Sequence, residues 1–219
     1  MKINNKNINN FNASIKSFDM STLGIDNNIM LLDSGYLPIL REQKLSAQER
    51  TLILDFTHED DISNFTAECS RESILNLDDG YEYLCYLKAT PTIQTEGIAA
   101  YTVEYPMYVI KRKPMIMTQI REFIFIEGNV NTSCIFEITA ATDLKTYQIN
   151  NFTINNLKAN ETFYLDGIHK LIYRSSTPDQ SAFDDVTLSS FPMLKPGNQY
   201  FNTSDDTVKV ILKYYPTYM

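Results

Sequence analysis

The chain has 219 residues, 43% hydrophobic and 21% charged, with a formal net charge of −8. This composition excludes the disordered class and suits one large or two small globular domains, each able to bury a core. No apolar run nears the roughly 18 residues of a membrane span, and no basic stripe offers a grip on nucleic acid.

Fourteen tyrosines and twelve phenylalanines, with many Ile, Val and Thr, lean toward strand. Only seven glycines are available for turns. The Asn-Asn pairs at 4–5, 9–10, 27–28, 150–151 and 155–156 are expected to supply them instead. Met1-Lys-Ile-Asn-Asn-Lys lacks the apolar segment of a signal peptide. Cys69, Cys85 and Cys134 are odd in number and widely spaced, which argues for buried thiols and folding in a reducing compartment.

In chain order, Ile15, Phe18 and Met20 precede a polar turn at Asp26-Asn-Asn. Tyr36-Leu-Pro-Ile-Leu40 reads as a short edge element, because Pro38 cannot donate to a ladder. Leu40–Arg50 has no apolar stripe and reads as an extended arm or loop, and Thr51–Phe56 as a strand. A helix is expected over Glu59–Leu77, with Asp60 and Asp61 in its first turn and Ile62, Phe65, Cys69 and Leu75 on one stripe. Asp78-Asp79-Gly80 ends it. Two long strands follow, Tyr81–Thr90 and Ile98–Lys113, joined by a tip at Pro91–Gly97. Tyr101, Val103, Tyr105, Met107 and Val109 share one face of the second, and Pro106 points to an edge or bulge. Lys111-Arg112-Lys113 reads as a solvated strand end.

The character changes near Lys113-Pro114. Strand signals then recur about every ten residues, at Glu122–Ile126, Cys134–Ala140, Thr146–Ile149, Thr153–Leu157, Thr162–Leu165, Ile168–Tyr173, Tyr200–Phe201 and Thr207–Tyr215. Asp166-Gly167 is a hairpin signal. In the last strand Val208, Val210, Leu212 and Tyr214 point to one side. The fold class expected is mainly β with one helix. Residues 1–115 would form a β domain with the helix and a long hairpin, and residues 116–219 an all-β sandwich.

The equipment for catalysis is thin. His58, at the helix start, and His169, in the hairpin, fall in different domains without metal-ligand spacing. The acid pairs Asp60-Asp61, Asp78-Asp79, Asp184-Asp185 and Asp205-Asp206 match no calcium loop and read as turn or helix-start residues. No phosphate loop and no Gly-x-Ser-x-Gly elbow is present. The chain is therefore expected to be no enzyme and to use no cofactor or metal.

Five segments recur in an order that resembles the phage distal tail protein family in its siphophage form. They are Gly128-Asn129, Cys134–Thr139, Tyr147–Leu157, the Glu161–Gly167 hairpin start, and Phe191-Pro192-Met-Leu-Lys-Pro196-Gly197-Asn198 before the terminal strand. Together they cover residues 127–215. The resemblance marks Asp166, Gly167, Phe191, Pro192, Pro196, Gly197 and Asn198 as structural motif residues. It implies a homohexameric ring that joins the tail tube to the tail-tip or baseplate adsorption apparatus. The first domains would form the annulus. Implied partners are the tail tube protein, a tail-associated baseplate hub protein and the tape measure protein. DNA would pass an acidic lumen unbound, and no membrane is involved. The protein would fold in the bacterial host cytoplasm and reside in the virion tail. Within the ring, Tyr101, Val103, Tyr105 and Met107 are candidate subunit contacts, unless that face packs the domain's own core. The alternative is a carbohydrate-binding β-sandwich module for host recognition, which aromatics exposed together on one sheet face would favour.

Overall fold

The computed structural model describes residues 1–22, 25–30, 39–45, 48–95, 97 and 100–218, and for those between 20 and 45 the backbone alone. They divide into two compact units, 1–112 and 113–218, a boundary three residues earlier than expected. Both are built from antiparallel strands, with one α-helix among the described residues, so the mainly-β fold class holds.

In the first unit the sheet runs Lys6–Asn7, Lys2–Ile3, Ser73–Asn76, Glu82–Leu87, Tyr101–Arg112, Gln48–Phe56, Ala13–Thr22. Asn4 and Asn5 both hold positive φ in the turn between the first two strands, as a primed turn requires. Gln48, Leu52, Leu54 and Phe56 alternate inward on one strand, and Val103, Tyr105, Met107 and Val109 on its neighbour. The helix spans Glu59–Cys69, opens with three acids, and lays Ile62, Phe65 and Cys69 on this core. His58 stands at its N-cap without a side-chain bond to the helix.

Several expectations fail here for local reasons. The helix ends at Cys69, and Ser73–Asn76 is a strand. The 3.6-residue stripe would next fall on Glu72, whereas Ser73 and Leu75 are buried in alternation. Asn4 holds that strand through its backbone N–H to the Ile74 oxygen and its side-chain oxygen to the Ile74 N–H, both 2.9 Å. Asp26-Asn-Asn lies in the strand Ile25–Met30, at a register shift, and pairs with Ile39–Leu45. Leu40–Arg50 is therefore largely strand, because charged side chains can line a ladder when its backbone is paired. The element expected at Tyr36–Leu40 lies mostly outside the described residues.

The long hairpin is also broken. Its first arm consists of Glu82–Leu87 and Thr92–Thr95, both paired to the same edge of Tyr101–Arg112. The strand containing Pro106 is consequently central and not an edge. Lys88 N–H donates to the Pro106 carbonyl at 2.8 Å. That proline's missing donor thus faces the gap between the two short strands, where no ladder bond is lost.

In the second unit one sheet runs Ile116–Gln119, Lys209–Tyr214, Thr132–Thr139, Thr162–Asp166, Leu171–Arg174. The other runs Leu144–Ile149, Phe152–Leu157, Val186–Thr187. Phe136, Ile138, Phe163, Leu165, Leu212 and Tyr214 from the first join Tyr147, Ile149, Phe152, Ile154 and Leu157 from the second in one core. This is a β-sandwich. A two-stranded ribbon, Phe123–Ile126 with Gly197–Tyr200, completes it. Val208, Val210, Leu212 and Tyr214 are all buried, as their alternation predicts.

Candidate assembly surfaces

Two parts of the motif meet in the second unit, the hairpin start at Asp166-Gly167 and the segment of Phe191-Pro192. Asp166 ends its strand and is buried; its Oδ1 accepts the backbone N–H groups of Ile168 and His169 at 2.8 and 2.9 Å. Its Oδ2 meets His169 Nδ1 at 2.7 Å. The hairpin closes through four residues, since Asp166 pairs with Leu171 and Lys170 carries the positive φ. It is not the two-residue Asp-Gly turn that the dipeptide suggests, and His169 sits in the loop.

Gly167 is needed for space. A Cβ there would stand 2.5 Å from the Pro192 oxygen and 2.8 Å from the Cys134 oxygen. Its N–H donates to the Cys134 oxygen at 2.8 Å, and Cys134 N–H donates to Pro192 at 3.3 Å. Phe191 packs partly buried on the core, with the Lys170 ammonium 5.2 Å from its ring centre. Pro196 precedes Gly197, whose φ of +96° opens the ribbon strand, and Asn198 is exposed on that strand. The motif therefore welds the hairpin loop to the segment before the ribbon. Nothing in their spacing reveals this contact, which is long-range.

In the first unit Val103, Tyr105 and Met107 are fully buried in the chain's own core and Tyr101 is half-buried. Tyr105 packs edge-on against Phe65 at 5.2 Å and shares a 3.2 Å hydroxyl bond with Thr66; burial pushes its phenol up to about 12. Val103, Tyr105 and Met107 have no surface left for a neighbour, so as subunit contacts these three are corrected to core residues, whereas Tyr101 keeps part of its surface. The opposite face offers Tyr86 and Tyr108, paired across the ladder and partly exposed.

Among the described residues, two strands of this unit that pair on one side only differ. Ala13–Thr22 carries Lys16, Asp19 and two register shifts, features that discourage pairing. Thr92–Thr95 is uncharged, wholly exposed and regular, and among the described residues it pairs on one side only. An apolar groove lies beside it, lined by Ile62, Ala67, Pro91 and Ile93 among others.

The thiols of Cys69, Cys85 and Cys134 are buried and unpaired, and burial pushes each upward, Cys69 to about 12. Raised thiols make poor nucleophiles. Among the described residues no group of three or more His, Cys, Asp and Glu side chains could hold a metal.

The second unit exposes aromatics. Phe123, Phe125 and Tyr200 stand on the outer face of the ribbon at 64%, 65% and 53% exposure. Alternation along one strand places Phe123 and Phe125 on the same side, whereas Tyr200 joins them only through the pairing register.

No protein-family model and no curated protein matches the sequence. The fold does have solved counterparts. The Dit protein (gp 19.1) of SPP1, described as a paradigm of the hub adsorption apparatus in phages infecting Gram-positive bacteria, aligns with a TM-score of 0.75 and 11% identity. The match covers 99% of this chain and 98% of that one. A chain of the phage p2 baseplate, in its activated conformation with Sr, aligns with a TM-score of 0.51 and 8% identity, over 94% and 91% of the two chains. The chain thus has a Dit-like fold through both units.

Proposed function

We infer that the protein is a structural component of a phage tail, the hub between tail tube and adsorption apparatus. The observation that carries this reading is a fold shared over nearly the whole length of both chains with the SPP1 Dit protein. The order of motifs over residues 127–215 supports it independently.

In this reading six copies close into a ring, with the first units as the annulus. The partners are the tail tube protein on one side and a tail-associated hub protein on the other, with the tape measure protein at the lumen. A ring of chains each carrying −8 disfavours DNA adhesion, so a genome passes without sticking. The regular, uncharged edge at Thr92–Thr95 replaces the Tyr101–Met107 face as the candidate subunit contact, because an unprotected edge readily accepts a strand. The protein does no chemistry in this role and needs no cofactor. It folds in the bacterial host cytoplasm and resides in the virion tail.

Light scattering on the purified chain, alone and with tube protein, tests the reading. A mass near six times 25.2 kDa for the chain alone, or a complex with tube protein that holds six copies of it, supports the ring. A strict monomer in both would overturn it.

A further inference from the structure

Two features of the second unit meet at Tyr200. The first is the aromatic face of the ribbon. Phe123 and Phe125, two apart on one strand, share a side, while Ile124 and Ile126 turn inward to the core. Tyr200 opposes Phe123 across the ladder, its ring 5.3 Å away and tilted by 55°. Single exposed apolar residues are ordinary on a protein surface; three adjoining, mostly exposed rings are not.

The second is a cleft of about 480 Å³ that begins at Tyr200, within the size range of small-ligand sites. Its floor is apolar, made by Ile120, Phe201, Val208 and Val210. Its rim is polar and includes Arg121, Glu122, Asn202 and Asp206. Arg121 and Glu122 are both exposed at the cleft. Asn202 is held by its backbone alone, its N–H on Asn150 Oδ1 at 2.9 Å and its oxygen on Asn150 N–H at 2.8 Å. Its amide side chain is left to the cleft. Asp206 is oriented by the Thr203 hydroxyl at 3.0 Å. Such anchoring reduces the ordering cost of binding.

The chemistry narrows the ligand. One guanidinium against two carboxylates disfavours a phosphate or other anion. A polar rim disfavours a lipid, and an apolar protein segment would leave the rim's charges buried without partners. A pyranose satisfies both parts, with C–H faces for the rings and neutral hydroxyls for the rim. We propose that ribbon and cleft together bind a short neutral oligosaccharide, stacked on Phe123, Phe125 and Tyr200 and hydrogen-bonded along Arg121, Glu122, Asn202 and Asp206. The site lies wholly within one unit of one chain, so it does not depend on ring formation.

Saturation-transfer NMR on the full chain tests this, with maltotriose, cellotriose, N-acetylchitotriose and galactotriose as probes. At least one should bind saturably, with its ring C–H protons receiving the strongest transfer. The double variant Phe125→Ala/Tyr200→Ala should weaken it by about tenfold or more. The milder Glu122→Gln should weaken it without touching the platform, and Tyr164→Ala, outside the site, should leave it unchanged. No saturable binding up to about 10 mM of any probe, or undiminished binding by the double variant, would overturn the proposal. Native mass, read on the same samples, reports separately on the hub reading.

Discussion

The strand Tyr101–Arg112 and the ribbon of Phe123–Ile126 with Gly197–Tyr200 carry the same kind of side chains in the same alternation. In the strand, Val103, Tyr105 and Met107 lie under the helix and adjoining strands of the first unit. In the ribbon, Ile124 and Ile126 meet the sandwich core, and the bulkier Phe123, Phe125 and Tyr200 are left outside. The strand's set stabilises the fold by removing its area from water; the ribbon's aromatic set leaves that area available for a ligand. Aromatic alternation thus marks a face and not its use.

The largest effect that would sharpen this contrast is expected from Tyr105→Ala. Emptying a fully buried ring site and orphaning the Thr66 hydroxyl should cost about 3–5 kcal/mol, read as a drop in the urea midpoint. A change below about 1 kcal/mol would show that the strand's inner face is not packed as described. Next comes Gly167→Ala. The added methyl meets two backbone oxygens, neither of which can rotate away, so a loss of about 1–3 kcal/mol is expected. A neutral result would mean that hairpin loop and Pro192 are not in contact.

Alkaline pH should separate buried from exposed groups. Burial raises the Cys69 thiol from 9.0 to about 12, and the Tyr105 and Tyr147 phenols from 10.0 to about 12. A group that holds its proton more tightly when folded stabilises the fold fully below its unfolded pKa. Stability should therefore hold to about pH 9 and decline as pH rises toward 12. A stability flat across that window would contradict their burial. The smallest effect belongs to Phe125→Ala, expected within about 0.5 kcal/mol of the parent because the ring is mostly exposed. A cooperative melt shifted well beyond that would place Phe125 in the core and remove the ribbon from consideration as a platform.

Much of the second unit was legible in the sequence. Most of its strands are short, alternate cleanly and fall near the expected segments, although Ile116–Gln119 carried no signal and the ribbon strand Gly197–Tyr200 starts before the expected Tyr200–Phe201. The first unit was less so. Ser73–Asn76 lay within reach of a helical stripe, and the charged Glu42–Lys44 stretch hid a strand whose pairing is long-range. Of the candidate site, the strand signals at Glu122–Ile126 and Tyr200–Phe201 were visible, but their pairing and the exposure of Phe123, Phe125 and Tyr200 were not. The rim residues Arg121, Asn202 and Asp206 carried no signal, because the cleft forms from segments some eighty residues apart in sequence.

By itself the sequence determined what depends on near neighbours. The alternation of Val208–Tyr214, the acidic start of the helix and the positive-φ turn at Asn4-Asn5 follow from sterics and spacing within a few residues. Tertiary structure alone decided which alternating faces are covered, why Gly167 has no room for a side chain, and how Pro106 sits in a central strand. Each of those depends on a backbone or side chain that arrives from far along the chain, and no local period encodes its arrival.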